Sequence, residues 1–232
     1  MTKDNRIRSP RPCIIAVGVL IALLVILVVV VMILDRIPQV SGPIQSGSAG
    51  RATSADLYCL EFSRYNGEFI EDGSHQPVTD VAAALIENRS QEFLDLATVT
   101  YDVGGRTAEF VVTGLPPGAK AWVLESNRMT ISDDAQFKFL ECTSAFRQDA
   151  VLSAKDLAVF SAGNTLSVTN SSDQTLENVC VYYKTVNNDG AYLGGITYML
   201  AFDTLKPGET ATRSTAHFTQ NSRIVRYSYQ PE

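Results

Sequence analysis

Residues 96–118, Leu-Ala-Thr-Val-Thr-Tyr-Asp-Val-Gly-Gly-Arg-Thr-Ala-Glu-Phe-Val-Val-Thr-Gly-Leu-Pro-Pro-Gly, decide the fold. Two runs rich in β-branched and aromatic residues flank the Gly104-Gly105 pair, and a Pro-Gly turn closes the stretch. Glycine adopts the positive φ angles of a tight hairpin without steric cost, and β-branched side chains suit a pleated strand. The stretch therefore predicts a β-hairpin followed by a second turn.

Segments of the same character fill the chain from residue 57 onward, and none shows a long helical period. The predicted strands span residues 57–62, 77–87, 93–101, 108–113 and 119–124, and then 165–169, 176–184, 193–202, 210–218 and 224–229. Residues 65–69 are predicted to form a tight turn between aromatic side chains. The Ala-rich segment 81–86 would also suit a helix, but comparison with the second half of the chain favours a strand. The predicted fold class is all-β.

Short motifs recur in the two halves in the same order. The matched pairs are Leu60-Glu61 with Leu140-Glu141, Asn88 with Asn170, Val99-Thr-Tyr101 with Val181-Tyr-Tyr183, and Leu115-Pro-Pro-Gly118 with Leu205-Lys-Pro-Gly208. Two interpretations remain open, namely tandem modules of about seven short strands each and two halves of one larger sandwich. The shared order favours tandem modules, with residues 57–138 in the first and residues 139–232 in the second.

Turn and core residues carry a resemblance to a known family. They are Asn88, Ser90, Val99, Tyr101, Asp102, Gly104, Gly105, Leu115, Pro117 and Gly118, of which the second half keeps the equivalents Asn170, Leu205, Pro207 and Gly208 but not the Tyr-Asp-x-Gly pattern. The pattern resembles bacterial FxLYD-type and related immunoglobulin-like surface modules over most of residues 57–229. The resemblance implies a bacterial envelope protein of tandem immunoglobulin-like antiparallel β-sandwiches with no shared enzymatic site.

An apolar run precedes these strands at residues 14–34. It holds 21 uncharged residues, 17 of them Ile, Leu or Val. A helix of this length spans about 31 Å, which is the thickness of a bilayer's hydrocarbon core. A buried core helix would be shorter, and a cleaved signal peptide has a shorter apolar region ending in a small-residue site. We therefore predict one uncleaved transmembrane helix that contacts membrane lipid.

The flanks of the run predict its orientation. Four basic residues precede it, namely Lys3, Arg6, Arg8 and Arg11. After it, the opposite charges of Asp35 and Arg36 cancel. The positive-inside rule then places residues 1–13 in the cytoplasm and the remainder outside the cell membrane. Residues 35–56, rich in Gly, Ser, Pro and Ala, are predicted to form a flexible stalk.

The predicted extracytoplasmic part is acidic. Of the 19 basic and 25 acidic residues of the chain, five basic and two acidic residues lie in residues 1–36, so the rest holds 14 and 23, a net charge of −9. Phosphate binding needs a basic surface, so this balance argues against a nucleic-acid partner.

Three cysteines follow the apolar run, and they allow at most one intrachain disulfide. Cys59 and Cys142 form the candidate pair, because the strands that carry them can lie side by side in a sandwich. The alternative is that both remain thiols. Cys180 lies between two valines whose side chains face the other way.

Other chemistry-bearing residues form no recognisable catalytic, cofactor or metal motif. His75 and His217 are predicted to be surface or edge histidines, and the Glu71-Asp72 and Asp133-Asp134 pairs to be solvated loop carboxylates. A Lys–Asn isopeptide crosslink is a further hypothesis, with Lys138, Lys155 and Lys184 on or near strands.

Together these features predict a single-pass, membrane-anchored extracytoplasmic protein that is not an enzyme. It would act as a binding or structural module of the envelope, with an unknown envelope protein or glycan as its partner. The alternative is an enzyme or an accessory subunit of a cell-wall or secretion complex.

Overall fold

A computed structural model describes residues 56–231. The predicted cytoplasmic tail, the predicted transmembrane helix and nearly all of the predicted stalk lie outside this range. Twelve strands make up the described regular structure: β1 (Leu57–Phe69), β2 (Gln76–Asn88), β3 (Phe93–Val103), β4 (Arg106–Leu115), β5 (Lys120–Leu124), β6 (Lys138–Arg147), β7 (Leu157–Ala162), β8 (Thr165–Asn170), β9 (Leu176–Val186), β10 (Tyr192–Leu205), β11 (Thr210–Ser214) and β12 (Ser222–Pro231). Within residues 56–231 the all-β prediction is confirmed, and no helix there could cross a membrane.

The strands form three sheets. The large sheet has six strands in the order β1-β2-β5-β10-β9-β12, and two smaller sheets have the orders β4-β3-β6 and β11-β8-β7. Every strand pairing is antiparallel except that of β5 with β10, which is parallel and joins Ala121 to Tyr192 and Trp122 to Leu193. This short parallel pairing makes one continuous sheet out of strands from both halves of the chain.

Each small sheet packs on one end of the large sheet. The first core places Ile86 of β2 with Val99 of β3 and Phe110 of β4, and the second places Val168 of β8 with Val181 of β9. The alternating burial along these strands follows from the two-residue period of a pleated strand, which sends every second side chain into a core. The described chain is thus built as sandwich-like sheet pairs.

Strand β2 is covered on both faces. Ala82, Ala84 and Ile86 enter the first core, while Val81 and Ala83 enter a third cluster on the opposite face. A strand buried on both sides loses its polar alternation, which explains why its sequence resembles a helix as much as a strand. The prediction of a strand here is confirmed.

The strands of the two halves pair in the same order. Strands β1-β2-β5 and β4-β3-β6 in the first half correspond to β7-β8-β11 and β10-β9-β12 in the second. Leu57 pairs with Asn88 at the start of β1, and Leu157 pairs with Asn170 at the start of β7. The predicted match of Leu60-Glu61 with Leu140-Glu141 is therefore wrong, because residue 140 lies in β6, the partner of β3.

Three further expectations need correction. The predicted boundary between residues 138 and 139 would separate β6 from β3, to which it is hydrogen-bonded, and each half contains six strands rather than seven. Residues 65–69 continue β1 instead of turning. Their aromatic side chains suit a strand as well as a turn, and pairing with residues 76–81 decides between the two.

Two buried asparagines occupy equivalent places. The Nδ2 of Asn88 donates to the Glu92 and Leu115 carbonyls at 2.9 and 2.8 Å. The Nδ2 of Asn170 donates in the same way to the Gln174 and Leu205 carbonyls at 2.7 and 2.9 Å. Both side chains have zero exposure. Each amide therefore ties the end of a strand in one sheet to the end of a strand in the facing sheet.

Removing one of these amides is expected to destabilise the fold. Asn170→Ala removes the amide donor from the buried Leu205 carbonyl, which costs about 1–3 kcal/mol, so we expect the free energy of unfolding to fall by at least about 1 kcal/mol; the Gln174 carbonyl keeps the hydroxyl of Ser172 as a donor. Urea unfolding of the full-length protein, followed by circular dichroism, measures the change. Ser171→Ala, at the exposed neighbouring residue, is the control. If Asn170→Ala were as stable as Ser171→Ala, the amide of Asn170 would not stabilise the fold.

Candidate functional site

The two sandwiches meet at an irregular segment of β10. Residues 194–197 leave the ladder with β9, where the register shifts between Leu193 and Tyr198. A Cβ atom on Gly195 would lie 1.8 Å from the Val111 carbonyl oxygen, and Gly194 has a φ of +85°. Only glycine permits so close an approach, so this pair lets β4, an edge strand of its sheet, lie against β10.

The carboxylate of Glu71 satisfies the N–H groups that this segment leaves unpaired. It accepts hydrogen bonds from the backbone N–H of Gly195 at 2.8 Å, of Ile196 at 3.2 Å and of Leu124 at 2.7 Å. Residue 71 follows β1, whereas residues 195 and 196 belong to β10. One side chain from the first half of the chain thus binds the backbone of the second.

The ammonium of Lys184 satisfies the carbonyls of the same segment. Its Nζ donates to the carbonyl oxygens of Gly195 at 2.9 Å, of Ile196 at 2.6 Å and of Thr113, on the edge of β4, at 3.0 Å. The side chain has zero exposure. Three carbonyl acceptors match the three N–H bonds of a charged ammonium, which a neutral amine lacks. We call Glu71, Lys184 and residues 194–197 the junction clamp.

Burial acts on both charges of the clamp. It lowers the pKa of Lys184 to about 7, and the carboxylate of Glu71 opposes that change. It also raises the pKa of Glu71, against the backbone N–H bonds and the charge of Lys184. Each charge therefore depends on the other, because neither has water to stabilise it.

The only two histidines of the chain meet beside the clamp. The Nε2 of His75, in the β1–β2 loop, lies 3.1 Å from the Nδ1 of His217, in the β11–β12 loop. The ring of Tyr198 stacks on His217 with centroids 4.8 Å apart. Packing joins these two loops although the residues are 142 positions apart in the chain, a contact that the sequence did not predict.

The position of a proton in this pair follows from its neighbour. The Nδ1 of His75 lies 2.8 Å from a carboxylate oxygen of Glu68, which can only accept. Nδ1 therefore carries a proton, and the Nε2 of a neutral His75 accepts from the Nδ1–H of His217. If both rings were charged, two N–H groups would face each other and the hydrogen bond would be lost.

Two concave surfaces adjoin the junction. A groove of about 670 Å³ is lined by residues that include Lys120, Arg223, Asp189 and Tyr192. A smaller cavity of about 250 Å³ is lined by residues that include Arg64, Tyr65, Trp122, Asn187 and Leu193. The smaller cavity contains the only tryptophan of the chain.

The predicted acidic pairs separate in the structure. The prediction that Glu71 is a solvated loop carboxylate is wrong, because its side chain belongs to the junction clamp. Asp72 pairs with the guanidinium of Arg128, and Asp133 pairs with the guanidinium of Arg64. Among residues 56–231, no group of three His, Cys, Asp or Glu residues could hold a metal ion. Lys184 contacts backbone carbonyls where the isopeptide hypothesis requires an asparagine.

The candidate disulfide residues lie in the first core. Cys59 on β1 and Cys142 on β6 are both buried there, in the same cluster as Tyr101. Burial raises the pKa of Cys59 to about 12, so its reactive thiolate is scarce once the protein is folded. The disulfide stays a prediction. Cys180, on β9, is partly exposed.

Sequence reasoning missed both partners of the clamp, although one signal pointed toward it. A Gly-Gly pair inside a predicted strand marks a close backbone approach, and Gly194-Gly195 is such a pair. Comparison with known proteins adds no relative: the chain matches no protein-family model and no curated protein.

Breaking the clamp should destabilise the whole molecule. Lys184→Met leaves Glu71 buried without its cation and removes the ammonium donor from three carbonyls, of which those of Thr113 and Gly195 keep threonine hydroxyl donors, so we expect a loss of about 3–5 kcal/mol in the free energy of unfolding. Urea unfolding below pH 7, where Lys184 is charged in the folded protein, followed by the fluorescence of Trp122 measures it. Lys155→Met, at an exposed lysine, is the control. The double variant Glu71→Gln/Lys184→Met should lose less than the sum of the single changes, and additive losses would contradict the pairing.

The clamp should also give unfolding a pH dependence. The unfolded chain binds a proton at Lys184 up to its ordinary value of 10.5, whereas the folded chain releases it near pH 7. Between these values the unfolded state binds more protons, so stability rises with pH, by at most about 1.4 kcal/mol per unit. Lys184→Met should remove this component of the slope. If the free energy of unfolding changed equally with pH in the parent protein and in Lys184→Met between pH 7 and 10, the prediction would be wrong.

Proposed function

We propose that residues 57–232 form two tandem immunoglobulin-like modules on a single N-terminal membrane span, and that they act outside the cell as a binding or structural module of the envelope. The common strand order of the two halves and the equivalent bonds of Asn88 and Asn170 support the tandem arrangement. In this proposal the first module includes β6, and the second begins near β7.

The observation that carries the proposal is the joining of the two halves. Modules on one chain move relative to each other unless a substantial interface holds them. Here the β5–β10 pairing continues one sheet across the halves, and the junction clamp satisfies backbone groups of both. A body held in this way presents grooves and loops from both modules in a fixed arrangement, which suits recognition or support of a partner.

The sequence supports the location. The apolar run at residues 14–34, its basic N-terminal flank and the acidic remainder are typical of a protein anchored with its C-terminal part outside the cytoplasm. A polar stalk would hold the sandwiches clear of the lipid.

Labelling in intact cells tests location, and cross-linking tests partner binding. We expect a membrane-impermeant maleimide to modify Ser171→Cys, an exposed position, in a Cys180→Ser background, and to reach Cys13 only after permeabilisation. We expect a photo-reactive amino acid at Phe160, whose side chain is 69% exposed, to give a discrete protein or glycan adduct in the same cells.

Protection of the cysteine at position 171 until permeabilisation would refute the orientation. A photo-reactive group at Leu140, which is 44% exposed on a different sheet, is the matched control. If Phe160 gives no adduct, or no more than Leu140 gives, the binding role is wrong.

A further inference from the structure

The small cavity beside Trp122 has the composition of a ligand site. Tyr65 and Trp122 contribute aromatic rings, and Ala83 and Leu193 add apolar surface. Its volume of about 250 Å³ is just below the ~300–1,000 Å³ of pockets for drug-sized ligands, so a single ring fits it. Strands β1, β2, β5 and β10, which supply most of this lining, are neighbours in the large sheet, so the walls are held in place by backbone hydrogen bonds.

Asn187 lines the cavity and has one side-chain polar atom without a hydrogen-bond partner in the described chain. Its side-chain Oδ1 is buried and finds no donor within the described chain, although the residue lines the cavity. A buried carbonyl oxygen without a donor costs about 1–3 kcal/mol, and because this atom has almost no accessible surface, a ligand hydroxyl recovers that energy once the Asn187 side chain turns its amide toward the cavity. A hydroxyl both donates and accepts, so it serves this amide in either of its two orientations.

The charges around the cavity favour a neutral ligand. The guanidinium of Arg64 already pairs with Asp80 at 3.2 Å and with Asp133 at 2.6 Å. The Nε1 of Trp122 points to Asp189 at 3.5 Å. With its cation neutralised and a carboxylate at its edge, the cavity offers little attraction to an anion.

We propose that the cavity between Tyr65 and Trp122 binds one neutral pyranose ring of a glycan. A pyranose has an apolar C–H face that packs on an aromatic side chain and a rim of hydroxyls that reaches the amide of Asn187. A peptide side chain of the same size lacks this combination of a saturated ring face and several hydroxyls. The assignment rests on the proposed role as a binding module and names its ligand class.

The sole tryptophan makes the test direct. We expect the fluorescence of the full-length protein to change saturably when it is titrated with neutral monosaccharides and short neutral oligosaccharides, among them glucose, galactose, mannose and N-acetylglucosamine. Asn187→Ala should weaken the best of these ligands at least tenfold, about the effect of one lost buried hydrogen bond. Asn188→Ala, at the exposed neighbouring residue, should bind as the unchanged protein does.

The outcomes separate this site from the general role. If no sugar changes the fluorescence up to high millimolar concentration, or if Asn187→Ala binds as well as Asn188→Ala, the cavity holds only water and the sugar site is wrong. A tyrosine-bearing peptide that binds there in place of every sugar would also overturn it. The proposed function survives any of these results if the adduct at Phe160 still forms in cells. A circular dichroism spectrum that matches the parent confirms that each variant is folded.

Discussion

The junction depends on two buried charged side chains, one of which binds the N–H groups and the other the carbonyl groups of a single backbone segment. Glu71 binds N–H groups of residues 194–197, and Lys184 binds carbonyls of the same segment and of β4. An edge strand packed across another sheet would otherwise bury polar groups that neither water nor a ladder could satisfy. The two charges allow this crossing, and they therefore hold the sandwiches together at a place where apolar contacts alone would leave orphaned groups.

Aromatic stacking extends this junction from the second core to the surface. Tyr183 packs against Tyr198, Tyr198 against His217, and His217 meets His75 from the first half of the chain. The column starts among buried side chains and ends beside the exposed carboxylate of Glu68. The column therefore connects the second core to a loop of the first half of the chain.

Much of the fold could be predicted from local patterns, because strand alternation and hairpin glycines are properties of neighbouring residues. Asn88 and Asn170 stood out for the same reason, each preceding a polar turn. The place of β6 was not predictable from a two-residue match, since Leu-Glu recurs by chance and pairing with β3 is a tertiary property. The clamp and the His75–His217 contact join residues more than a hundred positions apart, and periodicity says nothing about such distances.

One consequence of the clamp concerns chemical footprinting. Of the five lysines in residues 56–231, four have exposed side chains and Lys184 has none. An amine-acylating reagent applied to the native protein would mark the four promptly and reach the fifth only when the sandwiches part. The rate at which Lys184 is acylated therefore reports how often the two halves separate, and mass spectrometry measures that rate without any change to the sequence.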